Sequence, residues 1–141
     1  NKNQNMDIIC ATRNMMMLQF EKKSKTWKAN SIPNPNNVNN GKSVAIGDID
    51  GDGNFDLVHT SNTGGNRKVS GVMWMKYSKS KWFAYDISGS LGVKFDIVEL
   101  IDLDDDGDLD VVTCEENDNL GVFWFENPLY DSDKIHRTTS D

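Results

Sequence analysis

The chain has 141 residues, a length typical of one ordinary domain, and 37% of them are apolar, which is enough for a thin core. No apolar run approaches the roughly 18 residues of a transmembrane helix, so we expect no membrane insertion. The net charge of −7 argues against nucleic acid and anionic membrane surfaces as partners.

The chain opens with a weak copy of a repeat that is clearer further on. Met6 to Ile9 matches Phe55 to Val58. Relative to the later copies, this copy starts after the position of the first strand. The Pro- and Asn-rich segment 33–40 is typical of a connecting loop. Residues 1–43 are therefore interpreted as a degenerate first blade that lacks strand 1, plus a linker.

Two closely similar copies follow at a period of 54. Val44 to Val58 aligns without a gap with Val98 to Val112. Short apolar and β-branched runs bounded by Asp, Asn and Gly predict strands at 44–47, 57–60, 72–77, 82–87, 111–114, 122–125 and, more weakly, 134–139. Four antiparallel strands per unit at this period are typical of propeller blades. We predict an all-β partial β-propeller of about three blades, with 44–97 as the second blade and 98–141 as the third.

An acidic loop lies between the first two strands of each complete unit. Ten of the 22 acidic residues fall within 48–56 and 102–110, and so dense a like charge is self-repulsive unless a cation is bound. Carboxylates occupy loop positions 1, 3, 5 and 9 in both, and position 7 can add a carbonyl oxygen. The candidate metal ligands are Asp48, Asp50, Asp52, Asn54, Asp56, Asp102, Asp104, Asp106, Asp108 and Asp110.

The expected metal is Ca²⁺, with two ions in the chain. Ca²⁺ takes six to eight oxygen ligands, whereas Mg²⁺ keeps more of its water. A zinc site is not expected because paired His and Cys ligands are absent. Gly53 and Gly107 fall at position 6, where a sharp turn favours a residue without a β-carbon.

Each loop, with the apolar strand after it, resembles the calcium loop of FG-GAP/VCBS repeats. The matching stretches are Asp48-Ile-Asp-Gly-Asp-Gly-Asn-Phe-Asp56 and Asp102-Leu-Asp-Asp-Asp-Gly-Asp-Leu-Asp110. Such repeats form propeller blades in integrin α-chains and in many secreted bacterial proteins. The full Phe-Gly and Gly-Ala-Pro signatures are absent, which favours the bacterial VCBS-like branch. The resemblance implies calcium binding and an extracellular or cell-surface location.

Aromatic and sulfur-containing residues have simpler interpretations. Trp27, Trp74, Trp82 and Trp124 recur at equivalent repeat positions, which is typical of aromatics that fill the space between blades. The alternative is that one or two of them are exposed and stack on sugar rings. Cys10 and Cys114 lie in β-like runs and are interpreted as buried free thiols.

The expected function is non-catalytic: a calcium-stabilised extracellular module for binding or interaction. Its expected partners are other copies of itself or the rest of a longer propeller, because three blades are too few to close. A glycan or a protein is a further candidate ligand. One alternative is the propeller portion of a secreted polysaccharide-processing enzyme such as a lyase, with His59, Tyr77 and Arg67 as candidates. Another is a structural subunit of a filament or larger assembly.

Overall fold

The structure, a computed structural model, describes residues 6–12, 15–33, 40–64 and 70–130. All regular secondary structure in these ranges is β-strand, which confirms the all-β prediction. The strands are β1 (Asp7–Cys10), β2 (Met16–Glu21), β3 (Thr26–Ser31), β4 (Gly41–Gly47), β5 (Asp56–Ser61), β6 (Val72–Ser78), β7 (Lys81–Asp86), β8 (Phe95–Ile101), β9 (Asp110–Glu115) and β10 (Gly121–Phe125). The weak strand predicted within 134–139 lies outside the described residues, as does His136.

The strands form three antiparallel sheets, each made from strands that follow one another in the chain. The first sheet is β1-β2-β3, the middle sheet is β4-β5-β6-β7, and the third sheet is β8-β9-β10. This is the arrangement of partial propeller blades. The division of the chain at 43/44 and 97/98 stays a prediction.

The 54-residue repeat is preserved in the geometry of the sheets. β8 and β9 span the positions of β4 and β5 shifted by 54 residues. β4 begins at Gly41, before the predicted Val44, and its pairing with β5 shifts register between these two residues. The pairing of β8 with β9 shifts at the equivalent place, between Phe95 and Val98. The bulge is therefore a repeated feature of the fold.

The first strands of the middle and third sheets, β4 and β8, lie side by side. The backbone N–H of Val98 donates to Ser43 Oγ (3.3 Å), and Thr60 Oγ1 donates to the carbonyl oxygen of Asp96 (2.6 Å). Lys42 Nζ lies 3.0 Å from Asp96 Oδ1. The middle and third sheets are thus joined through β4 and β8, as neighbouring blades are joined near a propeller axis.

Strand β5 of the middle sheet is buried on both of its faces. Successive side chains of a strand point to opposite faces, and all six residues of β5 are buried. Val58 packs with Phe95 in a cluster between the middle and third sheets. Leu57 packs with Met15 and Ile32 in a second cluster between the first and middle sheets. Each core is therefore an interface between two sheets.

The end sheets expose apolar faces at positions that are buried in the middle sheet. Val72 is fully buried, whereas Val122, which holds the same place in the third sheet, is 76% exposed. Leu57 is 3% exposed, whereas its counterpart Ile8 in the first sheet is 40% exposed. We call these two surfaces the outward faces of the first and third sheets. Among the described residues no sheet covers them.

The structure corrects the sequence-based interpretations of the tryptophans and of the cysteines. Trp74 and Trp82 pack between sheets as predicted. Trp27 and Trp124 are 45% and 46% exposed, because they belong to the two end sheets. The cysteines are free, but Cys10 and Cys114 are half-buried rather than buried. Their strands, β1 and β9, belong to these same end sheets.

Candidate metal centres

The two acidic loops fold with the same hydrogen-bond scheme. The carboxylate oxygens of Asp48 accept the backbone N–H groups of loop positions 5 and 6 at 3.1 and 2.8 Å. Those of Asp102 accept the equivalent N–H groups at 3.0 Å each. The position-5 carboxylate then accepts the N–H of position 7, at 2.9 Å in the first loop and 3.1 Å in the second. The loops thus share one backbone conformation.

That conformation needs glycine at position 6. Gly53 and Gly107 have φ angles of 79° and 99°, in the left-handed region that favours glycine. A β-carbon added at either position would contact nothing within 4 Å. The requirement is therefore one of backbone conformation and not of space, as the loop spacing predicts.

Each loop brings three carboxylates together. One oxygen from each of Asp48, Asp50 and Asp56 lies within 4.8 Å of the others, and the same is true of Asp102, Asp104 and Asp106. The other predicted ligands are placed differently. Asn54 Nδ2 donates to Asp52 Oδ1 (2.9 Å), so these two side chains bind each other outside the first cluster.

The first loop buries two carboxylate oxygens that have no hydrogen-bond partner among the described residues. Asp56 is 1% exposed; its Oδ2 accepts Trp74 Nε1–H at 3.0 Å, and its Oδ1 is buried with no hydrogen-bond partner. Asp50 Oδ1 is also buried with no hydrogen-bond partner. Burial raises the pKa of Asp56, and the charge of Asp50 adds to that effect. A carboxylate oxygen that is buried without a partner costs free energy. A hard cation bound to the two oxygens would remove this cost and the repulsion between the two carboxylates.

The second loop offers a similar donor set in a different arrangement. Asp108 is 6% exposed; its Oδ2 accepts the N–H of Tyr130 (3.2 Å), while its Oδ1 is buried without a partner. Burial raises the pKa of Asp108. Asp110 differs, because its two oxygens accept the N–H groups of Asn127 (2.8 Å) and Leu103 (3.1 Å). Both loops thus present all-oxygen donor sets that fit a hard divalent cation.

Lys76, a residue that the sequence analysis missed, reaches into the first loop. Its ammonium group bonds the carboxylate of Asp50 and lies 2.8 Å from Asp52 Oδ2. These contacts raise the pKa of Lys76 and lower the pKa of Asp52. The available signal was strand alternation, which places Lys76 on the same face of β6 as Trp74, whose indole meets Asp56.

A further buried carboxylate belongs to the scaffold. Glu115, at the end of β9, is 2% exposed and accepts backbone N–H groups from Val93, Lys94, Asn117, Asp118 and Leu120 at 3.0 to 3.4 Å. Burial alone would raise the pKa of Glu115, but these N–H groups lower it to about 2. Its two oxygens are satisfied, so it organises two loops rather than offering a ligand.

Of the residues considered for catalysis, the structure describes His59, which is buried, and Tyr77, which is exposed. His59 is 2% exposed, and neither ring nitrogen has a hydrogen-bond partner of ordinary geometry among the described residues. Burial, opposed by the backbone of Thr60, lowers the pKa of His59 to about 4. Tyr77 is 48% exposed and contacts Trp82, and Arg67 lies outside the described residues. His59 is thus a core residue of the middle sheet.

Because His59 is buried with a lowered pKa, we expect the free energy of unfolding to fall in mild acid. Its pKa is about 4 in the folded chain, against an ordinary value of 6.5 in the unfolded chain, so protons bind the unfolded chain more tightly. Its contribution is fully present above pH 6.5 and falls as the pH drops towards 4, by about 3 kcal/mol in total. Urea unfolding of the unmodified chain and of His59→Leu between pH 7 and 4.5 measures it. Carboxylate protonation is common to both chains, so equal pH dependences would contradict this prediction.

The chain was compared with known protein families, curated proteins and solved structures. Residues 1–59 match the FG-GAP-like repeat family, which confirms the resemblance over the first sheet and the first acidic loop. The VCBS-like branch is not distinguished by this match. Searches of curated proteins and of solved structures found no match.

The family match indicates a broad class of function. An FG-GAP-like repeat indicates a β-propeller-like interaction module, and such repeats are typical of extracellular proteins. Within the part of the chain that the structure describes, no helix has the length and apolar character needed to cross a membrane. The second acidic loop lies beyond the matched residues, and its likeness to the first rests on the internal repeat and on the shared hydrogen bonds.

Proposed function

We propose that this chain is a calcium-stabilised extracellular interaction module, with one Ca²⁺ bound in each acidic loop. One observation carries the proposal. Two loops 54 residues apart adopt the same hydrogen-bonded turn, gather three carboxylates each, and bury a carboxylate oxygen that has no partner. The family match supports it, since it covers the first of these loops.

The donor sets favour Ca²⁺ over other common metals. Every donor is a carboxylate or carbonyl oxygen, which suits hard cations and not zinc. Asp48, Asp50 and Asp56 would hold the first ion, and Asp102, Asp104 and Asp106 the second. The remaining predicted oxygens are close in sequence and can complete a shell of six to eight ligands with water, as the flexible coordination of Ca²⁺ permits.

The ions would act as supports for the sheets. Each loop joins the first strand of a sheet to the second, so an ion there neutralises the charge that opposes this turn. Two ions would change the formal charge from −7 to −3. Their position between strands suits a structural role better than a catalytic one, and the buried His59 gives the lyase hypothesis no support.

The exposed apolar residues of the outward faces favour other propeller blades as the binding partners of this chain. Val122 and Ile8 are exposed at positions where the middle sheet buries Val72 and Leu57 against a neighbour. A further sheet of the same kind, from the rest of a longer propeller or from another copy, would cover these apolar side chains. Trp124 lies on this surface at the position of the packed Trp74, which favours packing between sheets over stacking on sugar. The hypothesis of a larger assembly rests on this observation.

Calcium binding by the full chain tests the proposal. Titration calorimetry is expected to show two Ca²⁺ ions, with Kd on the order of 10⁻⁴ M or tighter. Asp50→Asn and Asp104→Asn should each remove one ion. Glu99→Gln removes the same charge from an exposed carboxylate on β8, outside both loops, and should leave both ions in place. A chain that takes up no Ca²⁺ at millimolar concentration would refute the proposal.

A further inference from the structure

The two acidic loops approach each other, although they belong to different sheets. Ile49 is the second residue of the first loop, and Leu109 is the eighth residue of the second. Both side chains pack in the cluster between the middle and third sheets. A β-carbon added to Gly47, the residue before the first loop, would come within 2.7 Å of Leu109 Cδ1. Leu109 therefore packs against the end of the strand that leads into the first loop.

Asn127 joins the two loops by the hydrogen bonds of one side chain. Its Nδ2 donates to the carbonyl oxygen of Ile49 at 2.8 Å and to that of Leu109 at 3.2 Å. Its backbone N–H donates to Asp110 Oδ1 at 2.8 Å, which anchors the residue to the ninth position of the second loop. Asn127 thus follows β10 of the third sheet and holds the backbone of a loop that belongs to the middle sheet.

The backbone of Ile49 is central to the first loop. Ile49 lies between Asp48 and Asp50, two of the three carboxylates that the loop gathers. Its N–H bonds the carboxylate of Asp56, which is the third. Its carbonyl oxygen accepts the bond from Asn127. The third sheet therefore helps to fix the backbone around which the three carboxylates converge.

Residues 127–130, which we call the bridging segment, contact both loops at more than one place. The N–H of Tyr130 donates to Asp108 Oδ2 in the second loop at 3.2 Å. A β-carbon added to Gly51 of the first loop would lie 3.3 Å from both Leu129 Cδ2 and Tyr130 Oη. A change in the position of either loop is therefore transmitted to the bridging segment.

We infer that the bridging segment couples the two calcium sites, with Asn127 as the positioning residue, so that an ion in either loop strengthens binding in the other. The inference rests on the proposed function. An ion in the second loop orders the carboxylates that anchor the bridging segment, and the segment then holds the backbone of Ile49. The first loop is thus already partly ordered when its own ion binds, so less conformational entropy is lost. By linkage, the effect is reciprocal.

Single-loop variants measure the coupling by calorimetry. The Asp104→Asn chain gives the Kd of the first loop alone, and the Asp50→Asn chain gives that of the second. The coupling factor is the product of these two constants divided by the product of the two Kd values of the unmodified chain. We expect a factor of about five or more, which is the lower end of the usual range for coupled sites.

A variant of the bridge shows whether the coupling depends on it. Asn127→Ala removes the side-chain donors but keeps every carboxylate of the two loops, and the coupling factor should fall to about one or below. Asn117→Ala is the matched control, because it removes the same side chain from an exposed position where the amide bonds Asp118. It should leave the factor unchanged. A structural change that weakens each loop independently cancels in the factor.

Hydrogen exchange tests the coupling without a change at Asn127. In the Asp50→Asn chain Ca²⁺ fills the second loop alone. It should nevertheless slow the exchange of the two first-loop N–H groups that bond Asp48 severalfold. The N–H of Ile32 in the first sheet is the reference, because a general gain in stability would slow its exchange as well. If Asn127→Ala does not fold, this measurement decides alone.

The outcomes distinguish the inference from the proposal beneath it. A coupling factor of one or less in the unmodified chain, or unchanged exchange in the first loop, would overturn the inference and leave the proposed function standing. A factor that Asn127→Ala does not reduce, or that Asn117→Ala reduces equally, would also overturn it, because the coupling would not depend on the bridge. If the unmodified chain bound no Ca²⁺ in either loop, both would fall.

Discussion

Calcium at a hundred times its Kd is expected to raise the free energy of unfolding by about 5 kcal/mol. A ligand that binds only the folded chain stabilises it by RT ln(1 + [L]/Kd), which is about 2.7 kcal/mol for each of two sites at that concentration. The loops give this linkage a structural basis, since each gathers three carboxylates within 4.8 Å whose repulsion opposes the turn in the absence of metal.

Urea unfolding followed by tryptophan fluorescence measures this effect. Trp74 is a suitable reporter, because its indole donates to Asp56 of the first loop. The midpoint should be higher in Ca²⁺ than in chelator, and Mg²⁺ at the same concentration should have a smaller effect. The double variant Asp50→Asn, Asp104→Asn should unfold identically in both solutions. Equal midpoints for the unmodified chain would show that the loops carry no structural ion.

Replacing Glu115 is expected to have the second largest effect. Glu115→Ala leaves five backbone N–H groups without their buried acceptor, and each unsatisfied group costs about 1–3 kcal/mol unless water reaches it. We expect a loss of about 3 kcal/mol or more at pH 7. Glu115→Gln keeps one acceptor oxygen and should lose less. Urea unfolding at pH 7 measures both.

The neighbouring Glu116 supplies the control. Its carboxylate is 56% exposed and pairs with Lys94, so Glu116→Ala should change the stability by less than about 1 kcal/mol. The pH dependence is a second check. The pKa of Glu115 is lowered from 4.5 to about 2, so its contribution is present above pH 4.5 and is lost as the pH falls towards 2. If Glu115→Ala were no more destabilising than Glu116→Ala, the N–H groups would have another acceptor.

The acidic loops were the part of the molecule most open to prediction. Their spacing and their glycines define a local turn, and Gly53 and Gly107 adopt the expected left-handed conformation. Local sequence was sufficient because the hydrogen bonds shared by loop positions 1 to 7 of the two turns span no more than five residues. The convergence of Asp48, Asp50 and Asp56 follows from the same turn.

Contacts between separate strands could not be predicted from local sequence. Lys76 lies 26 residues from Asp50, and their meeting depends on how β6 is placed beside the loop. Glu115 resembles any charged residue at the end of a strand, and its role depends on two loops that fold back over it. The exposure of Trp27 and Trp124 could not be predicted for the same reason. The position of a residue in the repeat determines which face of the sheet it lies on, but it does not determine whether another sheet covers that face.

The two outward faces have a consequence for symmetry. The third sheet exposes the face that the middle sheet turns to its successor, and the first sheet exposes the face that the middle sheet turns to its predecessor. The two exposed faces therefore correspond to opposite faces of the middle sheet and not to the same face. Contact between copies that repeats the internal packing is heterologous, running head to tail. Such contacts build closed rings or open helical filaments, whereas a two-fold dimer would place like against like.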